Sequence, residues 1–305
     1  MSRKVALIQG GLGAEREVSK VTGHAFGEAL VALGYTFEVV EAGDDLPQKL
    51  ATMKPDVALL ALHGKYAEDG TVQGVCEYLK IPYSGSGVYS SALCFNKVAT
   101  YQMLKSAQVP HPRHQVVRSH EIASVKVTLP YPVVVKPARE GSSVGISIVK
   151  NEEDLLPALK LAAKSDSLIL VDEYIAGMEL TVAVVGGKAH TPVEIVPKQG
   201  YYDYNNKYTA GNTEYFLPPR LPDAVIEKCQ RYAQMSIEAC QVRHFARVDF
   251  RIDENQNPYV IEVNTLPGCT PTSLFPKSMK YDGITFEQVI AMFVETAGLD
   301  YEGVV

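Results

Sequence analysis

The pattern of apolar and polar positions divides the first third of the chain into alternating strands and helices. Residues 4–9 form a short apolar run typical of a strand, and apolar residues at helical spacing follow as far as Gly34, a favourable residue just after a helix. Further apolar runs over 36–42 and 56–64 predict two more strands, the second buried in a parallel sheet, and residues 71–81 are predicted to form a helix. Residues 1–94 are therefore predicted to be an N-terminal α/β domain of βαβ type.

A second block, residues 95–175, has the pattern of a smaller mixed domain. Its predicted elements are helices over 95–109 and 151–165 and strands over 131–138, 144–150 and 167–175. Pro110 closes the first of these helices, because proline cannot continue a helix. The loop between the first two strands is rich in glycine and serine.

A third block, residues 176–305, combines hairpins, helices and a long polar stretch. Its predicted elements are a hairpin over 179–197, helices over 223–242 and 286–298, and a second hairpin over 246–268. The tyrosine-rich stretch over 198–216 is predicted to be a functional loop. Long loops in compact domains are usually functional or disordered, and the many aromatic residues argue against disorder.

The second hairpin carries charged residues among its most apolar positions. A turn centred on residues 255 and 256 predicts the pairs Val248–Val263, Phe250–Ile261, Ile252–Tyr259, Asp249–Glu262 and Arg247–Asn264. Opposed carboxylates destabilise a sheet unless a cation lies near them, and oxygen ligands without Cys or His favour a hard ion such as Mg²⁺. Because protein-bound Mg²⁺ usually also takes substrate phosphates as ligands, the hairpin predicts a nucleoside triphosphate site. A solvated polar face is the alternative.

The glycine-serine loop over 139–143 follows a strand that carries Lys136 near its end. Small residues let backbone N–H groups approach a phosphate closely, and Lys136 adds a mobile cation. The loop does not match the P-loop pattern, because no Gly-Lys-Ser/Thr sequence follows its glycine. It is predicted to be a flap that covers phosphates and excludes water from a reactive intermediate, with a plain β-turn as the alternative.

Candidate ligand-binding residues also lie near the N-terminus and after the second hairpin. The stretch over 9–17 fails as a dinucleotide fingerprint, because Arg16 stands where the third glycine belongs. Glu15 falls at a helix N-terminus, where a carboxylate either complements the helix dipole or faces a ligand ammonium. His63 ends an apolar strand, a usual place for ligand sites, although a lone His there is more often structural. Ser273 is a weaker candidate for binding a carboxylate.

Composition is that of an ordinary globular protein with small-molecule partners. The 305 residues are 46% hydrophobic and 21% charged, with a net charge of −6. An acidic chain without a basic stripe argues against nucleic acid as a partner, and no stretch approaches the length of a membrane span. The five cysteines have no CxxC spacing, which fits a reducing cytoplasm.

Seven stretches occur in a specific order over nearly the whole chain. They are GGLGAEREVS, ALHGKYAEDGTVQG, PYSGSGVYSSALCFNK, VVVKPAREGSSVG, YYDYNNKY, ARVDF and IEVNTLPGCTPTSL. In this order they resemble the D-alanine–D-alanine ligase family of the ATP-grasp superfamily. The resemblance implies an α/β (α+β) fold of three domains: 1–94 for substrate, 95–175 as the central domain and 176–305 as the C-terminal domain, with ATP between the last two.

The resemblance also implies an activity and its cofactors. Two D-alanines would be joined at the expense of ATP, through a D-alanyl phosphate, to supply peptidoglycan synthesis. The protein would be a cytoplasmic homodimer that uses two Mg²⁺ ions, or Mn²⁺ in their place, held by Asp249, Glu262 and Asn264. Contacts to ATP would come from Lys97 and Lys136 on the phosphates, Asp172 on the adenine, Glu179 on the ribose and Lys207 on the γ-phosphate.

Roles on the substrate side follow from the same resemblance. Glu15 would orient the ammonium of the first D-alanine with His63 nearby, and Ser142 and Tyr208 would join Glu15 in a hydrogen-bonded group that closes the loops. Ser273 and the Leu274 N–H would bind the carboxylate of the second D-alanine, and Arg247 and the Gly268 N–H would donate to the tetrahedral oxyanion.

Four residues at three places in the chain bear on how closely the family's pattern is followed. Tyr208 favours D-alanine as the acceptor, because D-lactate-using relatives tend to have Phe there. Asp172 stands where Glu is common, so a longer or water-mediated hydrogen bond to adenine is expected. Leu12 and Gly13 stand where Thr-Ser is common, which affects contacts in that loop but not Glu15.

Three alternatives to this function stay open on the sequence. Another ATP-grasp ligase would join a different carboxylate and amine, and Glu15, Tyr208 and Ser273 argue against it. A regulatory nucleotide-binding protein would need no Arg247 beside the metal residues. An NAD-dependent oxidoreductase is the weakest alternative, given the failed fingerprint.

Overall fold

Three β-sheets organise residues 3–198 and 211–301, which the computed structural model describes. The strands are β1 (Lys4–Gly10), β2 (Thr36–Ala42), β3 (Val57–Leu60), β4 (His114–Arg118), β5 (Val133–Pro137), β6 (Ser147–Val149), β7 (Leu168–Glu173), β8 (Met178–Val185), β9 (Lys188–Ala189), β10 (Val193–Pro197), β11 (Thr213–Phe216), β12 (Phe245–Ile252) and β13 (Pro258–Asn264). The helices are α1 (Arg16–Leu33), α2 (Leu46–Met53), α3 (Thr71–Leu79), α4 (Val88–Phe95), α5 (Lys97–Ser106), α6 (Leu155–Ala162), α7 (Asp223–Ala239), α8 (Leu274–Tyr281) and α9 (Phe286–Glu295). A 3₁₀ turn at Glu152–Asp154 precedes α6.

The first sheet is the predicted parallel unit. Its strand order is β2-β1-β3, and both neighbours run parallel to β1. The central strand is fully buried from Val5 to Ile8, as a strand covered on both faces must be. Helix α1 crosses from β1 to β2 and ends at Gly34, which has the left-handed conformation predicted for that position.

The other two sheets are antiparallel and lie on either side of a cleft. One has the order β4-β7-β5-β6, and the other has the order β11-β10-β8-β12-β13 with β9 beside β8. Helix α6 packs on the first of them and α7 on the second, each through its apolar face. Among the described residues, no helix has the length and apolar composition that a membrane span requires.

The hairpin of β12 and β13 has the predicted register only at its inner end. The pairs Arg247–Asn264, Val248–Val263 and Asp249–Glu262 are as predicted. A β-bulge then shifts the register, so that Phe250 pairs with Val260 and Ile252 with Pro258. The predicted pairs Phe250–Ile261 and Ile252–Tyr259 are therefore wrong, because Ile261 is an extra residue without a partner in β12.

Several element boundaries also differ from the prediction. The helix predicted over 95–109 begins at Lys97, because the Asn96 side chain accepts hydrogen bonds from the N–H groups of Val98 and Ala99 at 3.1 and 3.4 Å. The predicted loop over 198–216 ends in a strand, since Thr213–Phe216 pairs with β10 as β11. Elements α2, α4, α8 and β4 lie outside the predicted set.

The last helix packs far from its neighbours in sequence. Helix α9 lies against α1 and β3, and its residues Val289, Ile290 and Phe293 belong to the same buried cluster as β1. The Phe293 ring stacks on Phe245 of β12 with centroids 3.8 Å apart. This core therefore joins the first sheet to the hairpin, and the division at residues 94 and 175 remains a prediction.

We expect Phe293→Ala to lower the free energy of unfolding by about 3–5 kcal/mol, because it removes a buried ring from a core that cannot fully collapse. Urea unfolding followed by circular dichroism measures this loss. The control is Tyr78→Ala, which removes an 89% exposed ring and should change stability by less than about 0.5 kcal/mol. Equal effects of the two variants would contradict the assignment of Phe293 to the shared core.

Candidate active site

Two clefts meet at the inner end of the β12–β13 hairpin. The inter-sheet cleft lies between the two antiparallel sheets, and residues of β5, β6 and β7 face residues of β8, β12 and β13 across it. The N-terminal cleft has a volume of about 340 Å³ and lies between α1, the segment after β3 and the hairpin. Glu262 and Leu274 line both clefts, so a group bound in one lies next to a group bound in the other.

The inter-sheet cleft combines apolar walls with charged residues at its base. Val134, Ile148, Ile195 and Ile261 supply apolar surface. The residues predicted to contact ATP and its metal ions that line this cleft are Lys97, Lys136, Asp172, Glu179, Asp249 and Glu262. The bulge matters here, because it turns Ile261 as well as Glu262 toward this cleft.

Lys136 and Asp172 form a buried ion pair at the base of the inter-sheet cleft. They lie on the adjacent strands β5 and β7, and the Lys136 Nζ is 2.8 Å from Asp172 Oδ2. Both side chains are buried, and the Tyr101 hydroxyl donates to the same carboxylate oxygen at 2.9 Å. The sequence assigned the two residues separately to phosphate and adenine, whereas the structure places them in direct contact.

Each carboxylate of the predicted metal site has a cationic neighbour. Arg247 makes two hydrogen bonds to Asp249, at 2.8 and 2.9 Å, and Lys97 Nζ is 2.8 Å from Glu262 Oε1. Asn264 accepts a hydrogen bond from the Leu266 N–H at 3.0 Å and lines the N-terminal cleft with Arg247. Within 3–198 and 211–301, no three His, Cys, Asp or Glu residues cluster as a metal site, so the candidate ligands are two carboxylates and one amide.

The donor set of the hairpin suits a hard cation. Asp249 and Glu262 are directly opposite across β12 and β13, as predicted, and both line the inter-sheet cleft. Carboxylate and amide oxygens are the ligands that Mg²⁺ takes, and two carboxylates leave positions for phosphate oxygens. The residues present therefore fit an ion that enters with a triphosphate.

Glu15 and Ser142 join the N-terminal block to the glycine-serine loop. The Ser142 hydroxyl donates to the Glu15 carboxylate, as the predicted closing group requires. Ser142 and Ser143 both have positive φ, a conformation that L-residues adopt at a cost. Lys65 pairs with Glu140 of the same loop at 2.6 Å, so two contacts hold this loop against the first block. Tyr208, the third predicted member, lies outside the described residues, as does Lys207.

Gly64 is required by the close approach of Glu15. Its φ is +73°, and a Cβ at this position would lie only 2.2 Å from Glu15 Oε2. Any side chain at residue 64 would therefore displace the carboxylate from Ser142 and strain the backbone.

His63 is a buried, neutral residue of the N-terminal cleft. Its Nε2 lies 2.9 Å from the Thr22 hydroxyl, and burial lowers the pKa of His63 to about 4, an effect that the Leu266 backbone opposes only in part. His63 therefore carries no charge at neutral pH and serves as a neutral hydrogen-bonding group in the cleft that Glu15 also lines.

Glu68 is a site residue that the sequence did not predict. It lines the N-terminal cleft and accepts a hydrogen bond from the Gly64 N–H at 2.9 Å. Burial, followed by the negative charge of Glu15, raises the pKa of Glu68 to about 8. Glu68 could have been predicted from its position, because it lies five residues after His63 in the stretch between a buried strand and a helix.

Ser273 and the start of α8 form the far wall of the N-terminal cleft. Ser273 is the residue before α8, and its hydroxyl lies 2.9 Å from the Thr270 hydroxyl and accepts from the Thr270 N–H at 3.0 Å. Gly268 and Leu274 line the same cleft, so the predicted anion-binding residues come together at a helix N-terminus. The sequence predicted Ser273 without predicting α8.

Two antiparallel sheets face each other across a cleft that is lined by Lys97 and Lys136 and by two opposed carboxylates. This is the arrangement of ATP-grasp proteins. A family model described as D-ala D-ala ligase C-terminus matches residues 96–295, and one described as D-ala D-ala ligase N-terminus matches residues 39–86. The chain belongs to the D-alanine–D-alanine ligase family.

Similar proteins agree with this assignment over nearly their whole lengths. A D-alanine–D-alanine ligase of Syntrophotalea carbinolica is 45% identical over 298 residues, which cover 97% of each chain. One from Geobacter sulfurreducens is 42% identical over 302 residues, covering 98% of this chain and 96% of that protein. The crystal structure of D-alanine–D-alanine ligase from Bacillus anthracis complexed with ATP is 30% identical, with a TM-score of 0.84 and 97% coverage of each chain. VanG D-Ala:D-Ser ligase from Enterococcus faecalis is 27% identical, with a TM-score of 0.83 and coverage of 97% of this chain and 99% of that one.

We expect His63 to make the folded protein sensitive to acid. Its pKa of about 4 in the folded state lies below its ordinary value of 6.5, so the unfolded state binds a proton first as the pH falls. At pH values above the ordinary pKa, His63 does not lower the free energy of unfolding. As the pH falls toward 4 this free energy decreases, by about 2 kcal/mol at about pH 5. His63→Gln should remove this part of the loss in urea unfolding measured between about pH 7 and about pH 5.

The matched control for this experiment is His120→Gln, because the His120 side chain is 74% exposed. This variant should lose stability with pH as the unmodified protein does. If His63→Gln keeps the full loss of stability between the two pH values, His63 is not buried in the neutral form.

Proposed function

We propose that the protein catalyses the ATP-dependent joining of two D-alanine molecules and so supplies D-alanyl-D-alanine for peptidoglycan synthesis. The observation that carries the proposal is the meeting of the two clefts at Glu262. An apolar cleft with lysines and opposed carboxylates fits ATP, and a polar cleft with Glu15 and a helix N-terminus fits an amino acid. The γ-phosphate of an ATP bound with its metal ions at Glu262 would lie beside the carboxylate of the D-alanine that it must activate.

The first chemical step is transfer of the γ-phosphoryl group of ATP to a carboxylate oxygen of the first D-alanine. Such a transfer is mainly a matter of positioning and charge neutralisation, and Lys97 and Lys136 supply cations at the base of the inter-sheet cleft. Lys207 is proposed as a further cation on the γ-phosphate, and Glu179 as the contact to the ribose. Two Mg²⁺ or Mn²⁺ ions held by Asp249, Glu262 and Asn264 would neutralise phosphate charge when bound.

The acyl phosphate must be kept from water until the second amine attacks it. The hydrogen bond between Glu15 and Ser142 and the ion pair between Lys65 and Glu140 hold the glycine-serine loop over the junction of the clefts. We propose that Tyr208 completes this closure. The carboxylate of Glu15 is also placed to receive the ammonium of the first D-alanine.

The second D-alanine would bind at the far wall of the N-terminal cleft. The Ser273 hydroxyl and the Leu274 N–H at the start of α8 suit its carboxylate. Once its ammonium has lost a proton, the free amine attacks the acyl phosphate carbonyl to form the C–N bond and a tetrahedral oxyanion; the oxyanion then collapses, the C–O bond breaks and phosphate leaves. Arg247 and the Gly268 N–H, which line the same cleft, are proposed as donors to that oxyanion.

The proposal also covers assembly, location and domain division. The protein is proposed to be a homodimer that acts in the cytoplasm, where ATP is available and where its five free, buried thiols stay reduced. The domains are proposed to be 1–94, 95–175 and 176–305, with α9 returning to the first core. A regulator without turnover would not need Arg247 and the closing loop beside the metal residues, so we favour the enzyme.

We expect phosphate release from Mg-ATP with D-alanine, and little with L-alanine or D-lactate. Glu262→Gln should reduce the D-alanine-dependent release by more than about 100-fold, because one metal-binding charge is worth several kcal/mol in the transition state. Circular dichroism and the unfolding midpoint should stay close to those of the unmodified protein.

The control variant is Glu254→Gln, which removes an exposed carboxylate from the turn of the same hairpin and should leave phosphate release unchanged. Unaltered release by Glu262→Gln would contradict the metal assignment. If phosphate release is faster with D-serine than with D-alanine as the acceptor, the second substrate is D-serine and not D-alanine. The chain is also similar to a D-Ala:D-Ser ligase.

A further inference from the structure

Tyr101 is a fully buried tyrosine whose hydroxyl lies behind the inter-sheet cleft, in contact with two residues that line it. It belongs to α5, and its hydroxyl donates to Asp172 Oδ2 at 2.9 Å and accepts from Lys136 Nζ at 3.3 Å. Lys136 Nζ is itself 2.8 Å from the same Asp172 oxygen. Three polar groups therefore form one buried unit, in which a single carboxylate oxygen takes both donors.

The other oxygen of Asp172 has a different environment. Asp172 lines the inter-sheet cleft and is only 2% exposed, and Oδ1 has no hydrogen-bond partner among the residues described. An unsatisfied carboxylate oxygen in a buried position is costly, so it is suited to accept from a bound ligand. The 6-amino group of adenine is such a donor, whereas guanine and hypoxanthine have an acceptor at that position.

The protons of the unit fix which group donates. A tyrosine hydroxyl has one proton, and burial together with the charge of Asp172 raises the pKa of Tyr101 well above its ordinary value. The hydroxyl therefore stays protonated. The other acceptor near the hydroxyl is the Ile261 carbonyl oxygen at 3.4 Å, which is farther away and uncharged. The hydroxyl therefore donates its hydrogen bond to the Asp172 carboxylate.

We propose that Tyr101 is a positioning residue that sets nucleotide selectivity by fixing the Asp172 carboxylate so that one oxygen is bound within the protein and the other has no protein partner and can accept from the base. This inference rests on the proposed ATP site in the inter-sheet cleft and extends it. The hydroxyl acts through Asp172 and Lys136 and does not itself touch the nucleotide.

An ion pair alone would not hold this arrangement. A lysine side chain is flexible and its ammonium has no preferred direction, so without Tyr101 the Lys136 ammonium can bridge both oxygens of Asp172. Bridging would occupy Oδ1 and would draw Lys136 away from the phosphates. The hydroxyl prevents both changes, because it occupies Oδ2 from a rigid ring.

The ring of Tyr101 is held independently of its hydroxyl. His111 and His114 each pack against it with ring centroids 5.1 Å away, and α5 fixes its backbone. Tyr101→Phe therefore keeps the packing and removes only the hydroxyl, with the hydrogen bond that it donates to Asp172 and the one that it accepts from Lys136. Tyr83→Phe is a matched control, because Tyr83 is also fully buried and its hydroxyl donates to the Glu77 carboxylate at 2.9 Å, outside both clefts.

The test is isothermal titration calorimetry with Mg-ATP and Mg-ITP, combined with D-alanine-dependent phosphate release. Loss of a hydrogen bond to a charged group should raise the Kd and the KM for ATP roughly tenfold in Tyr101→Phe. The preference for ATP over ITP should fall by a similar factor, while kcat at saturating ATP stays within about threefold of the unmodified value.

Tyr83→Phe should lose similar stability with no change in nucleotide binding or in the ATP to ITP ratio. If Tyr101→Phe has the same Kd values for ATP and ITP and the same KM for ATP as Tyr83→Phe, the proposal is overturned. Because calorimetry measures binding directly, tight and selective ATP binding without D-alanine-dependent release would count against the proposed function while leaving this inference open to the same test.

Asp172→Asn provides a second test that keeps Tyr101 intact. It should lose the preference for ATP over ITP on its own, and adding Tyr101→Phe should change the ratio little further, because both residues act through one carboxylate. Additive effects of the two substitutions, or a full ATP preference in Asp172→Asn, would show that Tyr101 does not act through Asp172.

Discussion

The placement of the site depends on the pairing of Asp249 with Glu262 across β12 and β13. Two opposed carboxylates would repel each other, but each has a cation beside it: Arg247 on Asp249 and Lys97 on Glu262. The bulge that follows the pair adds Ile261 to the face of the cleft. One short hairpin thereby presents Arg247 to the N-terminal cleft, Glu262 to both clefts, and Asp249 with apolar surface to the inter-sheet cleft.

The hairpin works as a junction because distant parts of the chain are fixed around it. Phe245, at the start of β12, stacks on Phe293 of the last helix, which packs into the core of the first sheet. The N-terminal cleft is therefore held by packing between the first block and the end of the chain. The contacts of Glu15 with Ser142 and of Lys65 with Glu140 add the glycine-serine loop as a third wall.

Features that depend on residues close together in the chain were predicted from the sequence, and features that depend on distant residues were not. Alternation within two adjacent strands was enough to predict the Asp249–Glu262 pair, because hairpin pairing is local. The bulge was not predictable from alternation, since Ile261 fits either face of a strand until its partner is known. Glu68 was missed because its burial depends on contacts from the first block and the hairpin. The place of α9 in the first core was missed because periodicity does not specify which core an apolar face joins.

The buried unit of Tyr101, Lys136 and Asp172 shows how stability is exchanged for selectivity at this site. An apolar set of similar volume would be an equally good or better core, because a buried ion pair seldom repays the cost of desolvating its charges. Asp172 also retains a buried oxygen without a partner in the described chain, which is a further cost. Such an arrangement is expected where a ligand supplies the missing donor. The energy that folding loses on Asp172 is then recovered on binding, and only by a base with an amino group in the right position.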